Sequence, residues 1–441
     1  GLYLSCYDWI KGENSKVATK ISPSTGHWDP IYNLRRATSR DGINWQKDDV
    51  AIELTGNQGG ASQASIHYNR MQGIYQTWYS VRDKKDFRNN CWNSFIELGK
   101  QKWGDLRNIL IQFLSEDSDY QNDIFGMMYK ASEVTMHLPI EVAEYTDFYS
   151  GRNHAENVGT MFRGPENALP PNWLHMPIGY NGRASSVVVS GTKIRRPFGQ
   201  LKGPDFDTPK FLPSRRFDFE LEMGAILGMS SSEPVSVDDA DEMIFGYVIL
   251  NDWSARDIQA WEYVPLGPFQ AKATATSISP WIVTKHALEP FRCPTPKREY
   301  ELLPYLRDTK PMLYDIQLNV LLKTPNSEEE ILASTNFNQL YYSAAQQIAH
   351  HTSSGCPMNV CDLIGSGTIS GPNKNERGSM LELSWGGKEP IFLPNGEQRT
   401  FLENQDKIIL QGKCTASDYY IGFGDCVGEV VPAENKLAKE K

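Results

Sequence analysis

Apolar and acidic positions alternate strictly through Phe217-Asp218-Phe219-Glu220-Leu221-Glu222-Met223. That alternation predicts a β-strand, because successive side chains leave a strand on opposite faces. One face then carries Phe217, Phe219, Leu221 and Met223, and the other carries Asp218, Glu220 and Glu222. Carboxylates stacked so closely repel one another, and either solvent or a hard divalent cation with oxygen ligands would relieve the repulsion. The texture changes along the rest of the chain. Residues 1–90 hold short aromatic, β-prone runs, Leu2 to Trp9 and Ile74 to Val81, parted by turn formers such as Ser39-Arg40-Asp41-Gly42, and read as antiparallel meanders. From Trp92 to about Leu114, the spacing of Phe95, Leu98, Trp103, Leu106, Ile109, Leu110 and Phe113 predicts helix. Beyond Leu138 the pattern returns to strands and long loops punctuated by Gly and Pro, and the stretch 432–441 reads as a frayed end.

Composition narrows the function. The 441 residues suffice for two or three domains with ample core. With 44 Lys and Arg against 54 Asp and Glu, the formal charge is −10 and no basic block stands out, so nucleic acid is not an expected partner. No apolar run approaches the roughly 20 residues that span a bilayer, and no signal peptide opens the chain, so no membrane role is expected. Seven scattered cysteines point to reduced thiols and a cytoplasmic setting. The chain starts at Gly1 in what reads as the middle of a strand, as a processed or truncated product would.

Four later segments bring further chemistry to the two glutamates. Glu144 to His154 sets an acid, a phenol and an imidazole within a short span, and imidazole is the side chain best matched to proton transfer near neutral pH. Taken alone, a histidine such as His154 is more often a hydrogen-bonded structural residue. Asp252, Arg256, Gln259 and Tyr263 fall at i, i+4, i+7 and i+11, offsets that align on one helical face. Such a stripe offers one carboxylate to a metal and three donors to an anionic substrate, or else a solvated helix surface. Lys272 follows, and then the glycine-rich Gly365-Ser366-Gly367-Thr368-Ile369-Ser370-Gly371-Pro372, with Glu382 downstream. The glycines permit tight turns and close backbone approach. No Lys precedes a Ser or Thr as a phosphate-binding loop requires. Adjacent His350 and His351 point in different directions on any regular element, which favours structural roles.

Several strings resemble the fumarylacetoacetase family. They include Glu144 to His154, Met161-Phe162-Arg163, Leu174 to Tyr180, Phe219-Glu220-Leu221-Glu222, Asn251 to Phe269, Ser366 to Pro372 and Gly378 to Trp385. The resemblance runs from about Trp92 to Ala433. It implies a mainly β (α+β) chain in which a mixed β-sandwich roll catalytic domain occupies 138–433, after the helical remnant of an SH3-like N-terminal domain at 91–137 and ahead of a disordered tail at 434–441. It implies divalent-metal ligands at Asp147, Glu220, Glu222 and Asp252, with Lys272 and Thr276 near the metal, which would be Mg2+ or Ca2+. His154 would be the general base and Glu382 the acid that orients it. Arg256, Gln259 and Lys272 would stabilise the oxyanion, while Tyr149, Arg163, Tyr180, Tyr263 and Thr368 would hold a small diketo acid. Around Lys272, Ala271, Ala273, Thr274 and Ala275 depart from the family's small and aromatic residues, so an altered pocket shape is expected.

The activity so implied is hydrolysis of the carbon–carbon bond of fumarylacetoacetate to fumarate and acetoacetate, by a homodimer. A sister activity, acylpyruvate hydrolysis or decarboxylation, would use the same metal site on a smaller substrate. The intact set of Tyr149, Arg163, Tyr180 and Tyr263 suits the longer diacid. Residues 1–90 fit this picture least. Tyr32 to Trp45 and Ile74 to Ser80 resemble blades of a glycosidase-like five-bladed β-propeller. So short a segment cannot close a ring of four-stranded blades, and it is assigned no site residues. A truncated, inactive fusion is the reading that follows if the lost barrel destabilises the rest.

Overall fold

The computed structural model describes residues 91–120 and 129–435, and the backbone of six strands among residues 1–90. The chain divides into two compact units, Leu2–Glu141 and Val142–Lys441. In the first, Leu34–Thr38 pairs antiparallel with Gln46–Ile52, and Gly60–Asn69 with Ile74–Arg82. These are separate two-stranded pairings, and the propeller resemblance otherwise falls outside the described residues. The helical stretch is broken where the pattern reads as continuous. Asn93–Ile96 and Gly99–Leu114 are distinct helices, and the chain turns between them at Gly99, whose φ of +80° a side chain rarely tolerates. Phe95, Trp103, Leu106 and Leu110 are buried, whereas Leu98 falls in the break and is exposed.

The second unit is built on a mixed sheet whose strands lie in the order Ile282–Thr284, Ile244–Asp252, Leu221–Leu227, Leu363–Gly365, Tyr145–Phe148 and Gly179–Asn181. Thr276–Ile278 also pairs with Ile244–Asp252 and carries Val187–Val189 on its far side. The link from Leu363–Gly365 to Tyr145–Phe148 is parallel, and the neighbouring pairings are antiparallel. A second sheet runs Lys193–Arg195, Tyr420–Val431, Lys407–Thr415, Gln317–Lys323 and Glu330–Asn336. Alternating burial of Leu318, Val320 and Leu322 marks its inner face. Glycines let the two sheets close: a Cβ on Gly412 would come 3.3 Å from Ile249, and one on Gly428 would strike Trp253 at 2.2 Å. Trp253 is fully buried, stacks on Phe217 and donates its indole N–H to Ser277 Oγ at 2.9 Å, so the sandwich centre leaves no polar group of that ring unpaired.

The opening strand pattern is present with two changes. It is interrupted: Phe217–Asp218 pairs with Ser254–Ala255, and a separate strand begins at Leu221. Neither face is wet, since all seven residues from Phe217 to Met223 are buried, which excludes a solvated acidic surface. Residues 138–433 are not strands and loops alone. Helices Arg152–Arg163, Val237–Met243 and Ala344–Thr352 pack on the sheets, and the first is hidden in the sequence by its mixed, polar composition.

Candidate active site

Three strands of the one sheet deliver three carboxylates to one point. Asp147 comes from Tyr145–Phe148, Glu222 from Leu221–Leu227 and Asp252 from the end of Ile244–Asp252. One oxygen of each lies within 4.8 Å of the others. Strand Leu363–Gly365 runs between the first two, and Gly365 is in register with Asp147. The absence of a side chain there lets the carboxylates meet across it, because a Cβ would sit 2.6 Å from Asp147 Oδ1 and 3.2 Å from Glu222 Oε2. Gly367 N–H donates to Glu222 Oε2 at 2.9 Å. The glycine-rich segment therefore serves the carboxylates and not a phosphate.

Glu220 stands beside this group with different company. Lys272 Nζ bonds its Oε2, Arg256 Nη2 lies 2.7 Å from its Oε1, and His154 Nε2 is 3.7 Å from Oε1. Burial would raise the Glu220 carboxyl, but Arg256, Lys272 and His154 outweigh it and hold it well below the carboxylate range. Asp147 and Glu222 behave oppositely: burial and then neighbouring carboxylates push both well upward. Burial raises Asp252 too, against the pull of Lys272, whose Nζ donates to its Oδ2 at 2.6 Å. Asp147 Oδ1, Glu222 Oε1 and Asp252 Oδ1 are buried and lack a hydrogen-bond partner. Buried anionic oxygens without donors fit a hard divalent cation, which takes carboxylate ligands and cancels their repulsion. Thr276 is buried directly opposite Asp252 in the strand register.

Helix Arg152–Arg163 brings the imidazole. Its entry at Gly151 presses on the glycine-rich segment, where a Cβ would strike Thr368 O at 2.1 Å, and Asn153 Nδ2 donates to Ser370 O. His154 Nδ1 lies 2.6 Å from Glu382 Oε2. An ionised carboxylate only accepts, so Nδ1 carries a proton, and in the neutral tautomer this leaves the lone pair on Nε2, which faces Glu220. Burial would raise the Glu382 carboxyl, but His154, Asn157 and Ser379 outweigh burial and hold it below its ordinary value. Ser379 caps the short helix Met380–Leu383 by accepting from Glu382 N.

Above the cluster opens a cavity of about 540 Å3. Twelve of the expected residues line it: Asp147, Tyr149, His154, Arg163, Tyr180 and Glu220, then Glu222, Arg256, Gln259, Tyr263, Lys272 and Thr368. Asp252, Thr276 and Glu382 support it from behind. The stripe from Asp252 to Tyr263 is not one helical face. Asp252 ends a strand, the helix spans Arg256–Glu262, and Tyr263 follows it. Tyr180 OH donates to Asp252 Oδ2 at 3.2 Å. Arg163 lines the cavity with its Nε and Nη2 anchored on the main-chain carbonyls of Asn167 and Ala168. Among 271–275 only Lys272 lines the cavity, so the alanine substitutions change the backing of the lysine and not the wall. Val158, Phe162, Ile178 and Leu266 add apolar surface to the lining. The mouth loop is pinned by Glu262, whose carboxylate accepts from the N–H groups of Phe269, Gln270 and Ala271.

Asp218, Asn157, Ser370 and Ser379 are given no role by the sequence, which marks Gly365 only as one of three glycines that allow close backbone approach. Ser379 alone left a local trace, because Ser379-Met380-Leu381-Glu382 has the S-x-x-E form of a helix start. His350 and His351 stay apart from the cluster: Nδ1 of the first meets Tyr305 OH, and Nε2 of the second meets Thr146 Oγ1.

Fold and site together define a class, a mixed-β hydrolase with a buried carboxylate cluster and a His–Glu pair beneath a cation-lined cavity. The sequence matches the family described as fumarylacetoacetate (FAA) hydrolase C-terminal over residues 145–431. It is 47% identical over 370 residues to a fumarylacetoacetase of Dictyostelium discoideum, covering 81% of this chain and 86% of that one. It is 48% identical over 351 residues to a fumarylacetoacetase of Homo sapiens, covering 77% and 83%. The chain belongs to the fumarylacetoacetase family. Among the described residues, no helix is long and apolar enough to cross a membrane.

Proposed function

We propose that this chain hydrolyses the carbon–carbon bond of 4-fumarylacetoacetate, releasing fumarate and acetoacetate, the last step of tyrosine breakdown. The observation that carries this reading is the His154–Glu382 pair at 2.6 Å, set beside three mutually close carboxylates of which Asp147 and Glu222 line the cavity. Breaking a bond between two carbonyl groups needs a nucleophilic water, a polarised carbonyl and a stabilised enolate leaving group. His154 Nε2 takes the proton of the attacking water while Glu382 holds the resulting imidazolium. The water oxygen bonds the carbonyl carbon, and the carbon–carbon pair of electrons leaves with the acetoacetate fragment, which is then protonated. Arg256, Gln259 and Lys272 meet the developing oxyanion, where one donor is typically worth about 100-fold to 1000-fold in turnover.

Asp147, Glu222 and Asp252, with Glu220 adjoining, would hold Mg2+ or Ca2+, which when bound polarises the diketo group and steadies the departing negative charge. Tyr149, Arg163, Tyr180, Tyr263 and Thr368 grip the substrate, with Arg163 paired to a terminal carboxylate. A homodimer in the cytoplasm completes the reading, and the free thiols of the six described cysteines suit a reducing compartment. For the segments before the catalytic unit we propose what their sequence likeness supports, a propeller-like fragment over 1–90 and the end of a small SH3-like barrel over 91–137. The test follows fumarylacetoacetate absorbance with purified protein, with and without chelator. Metal-dependent loss of absorbance is expected, and a persistent signal at millimolar Mg2+ would overturn the assignment.

A further inference from the structure

Asp218 is fully buried between Phe217 and Phe219, and its carboxylate takes no part in the triad. Its partners belong to two separate pieces of the site. Oδ2 accepts from Arg256 Nε at 2.8 Å and from Leu381 N at 3.0 Å. Oδ1 accepts from Met380 N at 2.7 Å and from Phe219 N at 2.8 Å. Four donors satisfy one buried anion, so its position and theirs are fixed together. Arg256 carries on from this contact to Glu220 and the cavity. Met380 and Leu381 open the short helix whose third residue is Glu382, the partner of His154.

We infer that Asp218 is a positioning residue that sets the Arg256 guanidinium against the His154–Glu382 pair. This rests on the roles given above to Arg256, His154 and Glu382. A guanidinium held only at its Nη end, by Nη2 against Glu220 Oε1 at 2.7 Å and by Nη1 donating to Gln259 Oε1 at 3.3 Å, can still swing about its own long side chain. The second attachment at Nε removes that freedom and aims the donor at one place, and the same carboxylate holds the backbone that carries the orienting acid. Positioning of this kind acts on the rate of the bound complex more than on substrate affinity.

The test is a double-mutant cycle on D218N and R256K, with turnover, KM and Mg2+ affinity by calorimetry read for each variant. In D218N, kcat should fall at least 30-fold, KM should move less than about 3-fold, and Mg2+ should bind as in the wild type. In the R256K background the same substitution should lower kcat at least 5-fold less than it does in the wild type, because the arginine it steers is gone and only the share carried through Met380 and Leu381 remains. Multiplying effects, or a D218N protein that only melts earlier and turns over normally below its transition, would overturn the inference. Should D218N not fold, D218E keeps the charge with the carboxylate one methylene further out. A 30-fold loss there supports the role, and unchanged kcat removes it. Wild-type protein without turnover in the same assay would sink the functional reading together with this one, whereas active wild type, impaired R256K and normal D218N would sink this one alone.

Discussion

His154 Nδ1 and Glu382 Oε2 are 228 positions apart in the chain and 2.6 Å apart in space, and Asn157, Ser370 and Ser379 donate to the same carboxylate. Each donor holds Glu382 ionised and in place. His154→Ala should therefore cut kcat by about 100-fold or more while divalent-metal affinity stays within about 3-fold. Steady-state kinetics alongside calorimetry checks both halves, and normal turnover would remove the base.

The four acids of the cluster are not equivalent. Glu220 is compensated by Arg256 and Lys272, whereas Glu222 faces Asp147 and Asp252 with few donors. Glu222→Gln should weaken Mg2+ binding at least 10-fold, and Glu220→Gln should weaken it less, its main cost falling on kcat through the loosened cations. Equal losses of affinity in titrations of the two variants would contradict this division.

Chelated protein should gain stability from Asp147→Asn. With no cation bound, the substitution takes one like charge out of a buried group, a relief on the order of 1 kcal/mol or more, roughly 2–4 °C for a domain of a few hundred residues. The order should reverse at saturating Mg2+, where wild type gains more from the ion. Calorimetric melting in EDTA and in Mg2+ reads both signs.

Gly365→Ala should damage the site without touching a polar group. The added Cβ would meet Asp147 Oδ1 at 2.6 Å and must push the carboxylates apart. A cost of about 1–3 kcal/mol is expected from overpacking, with Mg2+ affinity down at least 10-fold. Wild-type affinity in this variant would show that the backbone gap is dispensable.

Away from the cluster, burial pushes the Asp362 carboxyl up to about 6. Its folded value thus exceeds the unfolded one of about 3.9. Between those limits the folded state binds the extra proton, so this group adds stability as pH falls below about 6 and withdraws it as pH rises through 6. Asp362→Asn should shrink the stability difference between pH 5 and pH 7.5, read by urea denaturation. An unchanged difference would count against it.

Much of the site was legible because its chemistry lies in residue types that stand out in their strings: Glu220 and Glu222 in an alternating strand, His154 beside an acid and a phenol, Arg256 and Gln259 on one helix. What escaped depends on distant partners. Asp218 looks like one more acid of the strand until Met380 and Leu381 are placed beside it, and Gly365 looks like any turn glycine until a strand on either side brings in a carboxylate. Helix Arg152–Arg163 escaped for another reason, since its buried face of His154, Ala155 and Gly159 presents no apolar stripe to count.

Asp147, Glu222 and Asp252 each belong to a different strand, and those strands come together only in the assembled sheet, with Leu363–Gly365 between the strands of Asp147 and Glu222. An unfolded chain has nothing resembling this constellation, so the ion cannot act as a seed for collapse as zinc does in a finger. A cation held there would be a late arrival, captured by a scaffold whose apolar sandwich has already formed against the electrostatic grain of its own centre. Loading would then be a reversible step set by the free ion concentration around a finished protein, and supply of the cation becomes a control on how much of the folded population is competent.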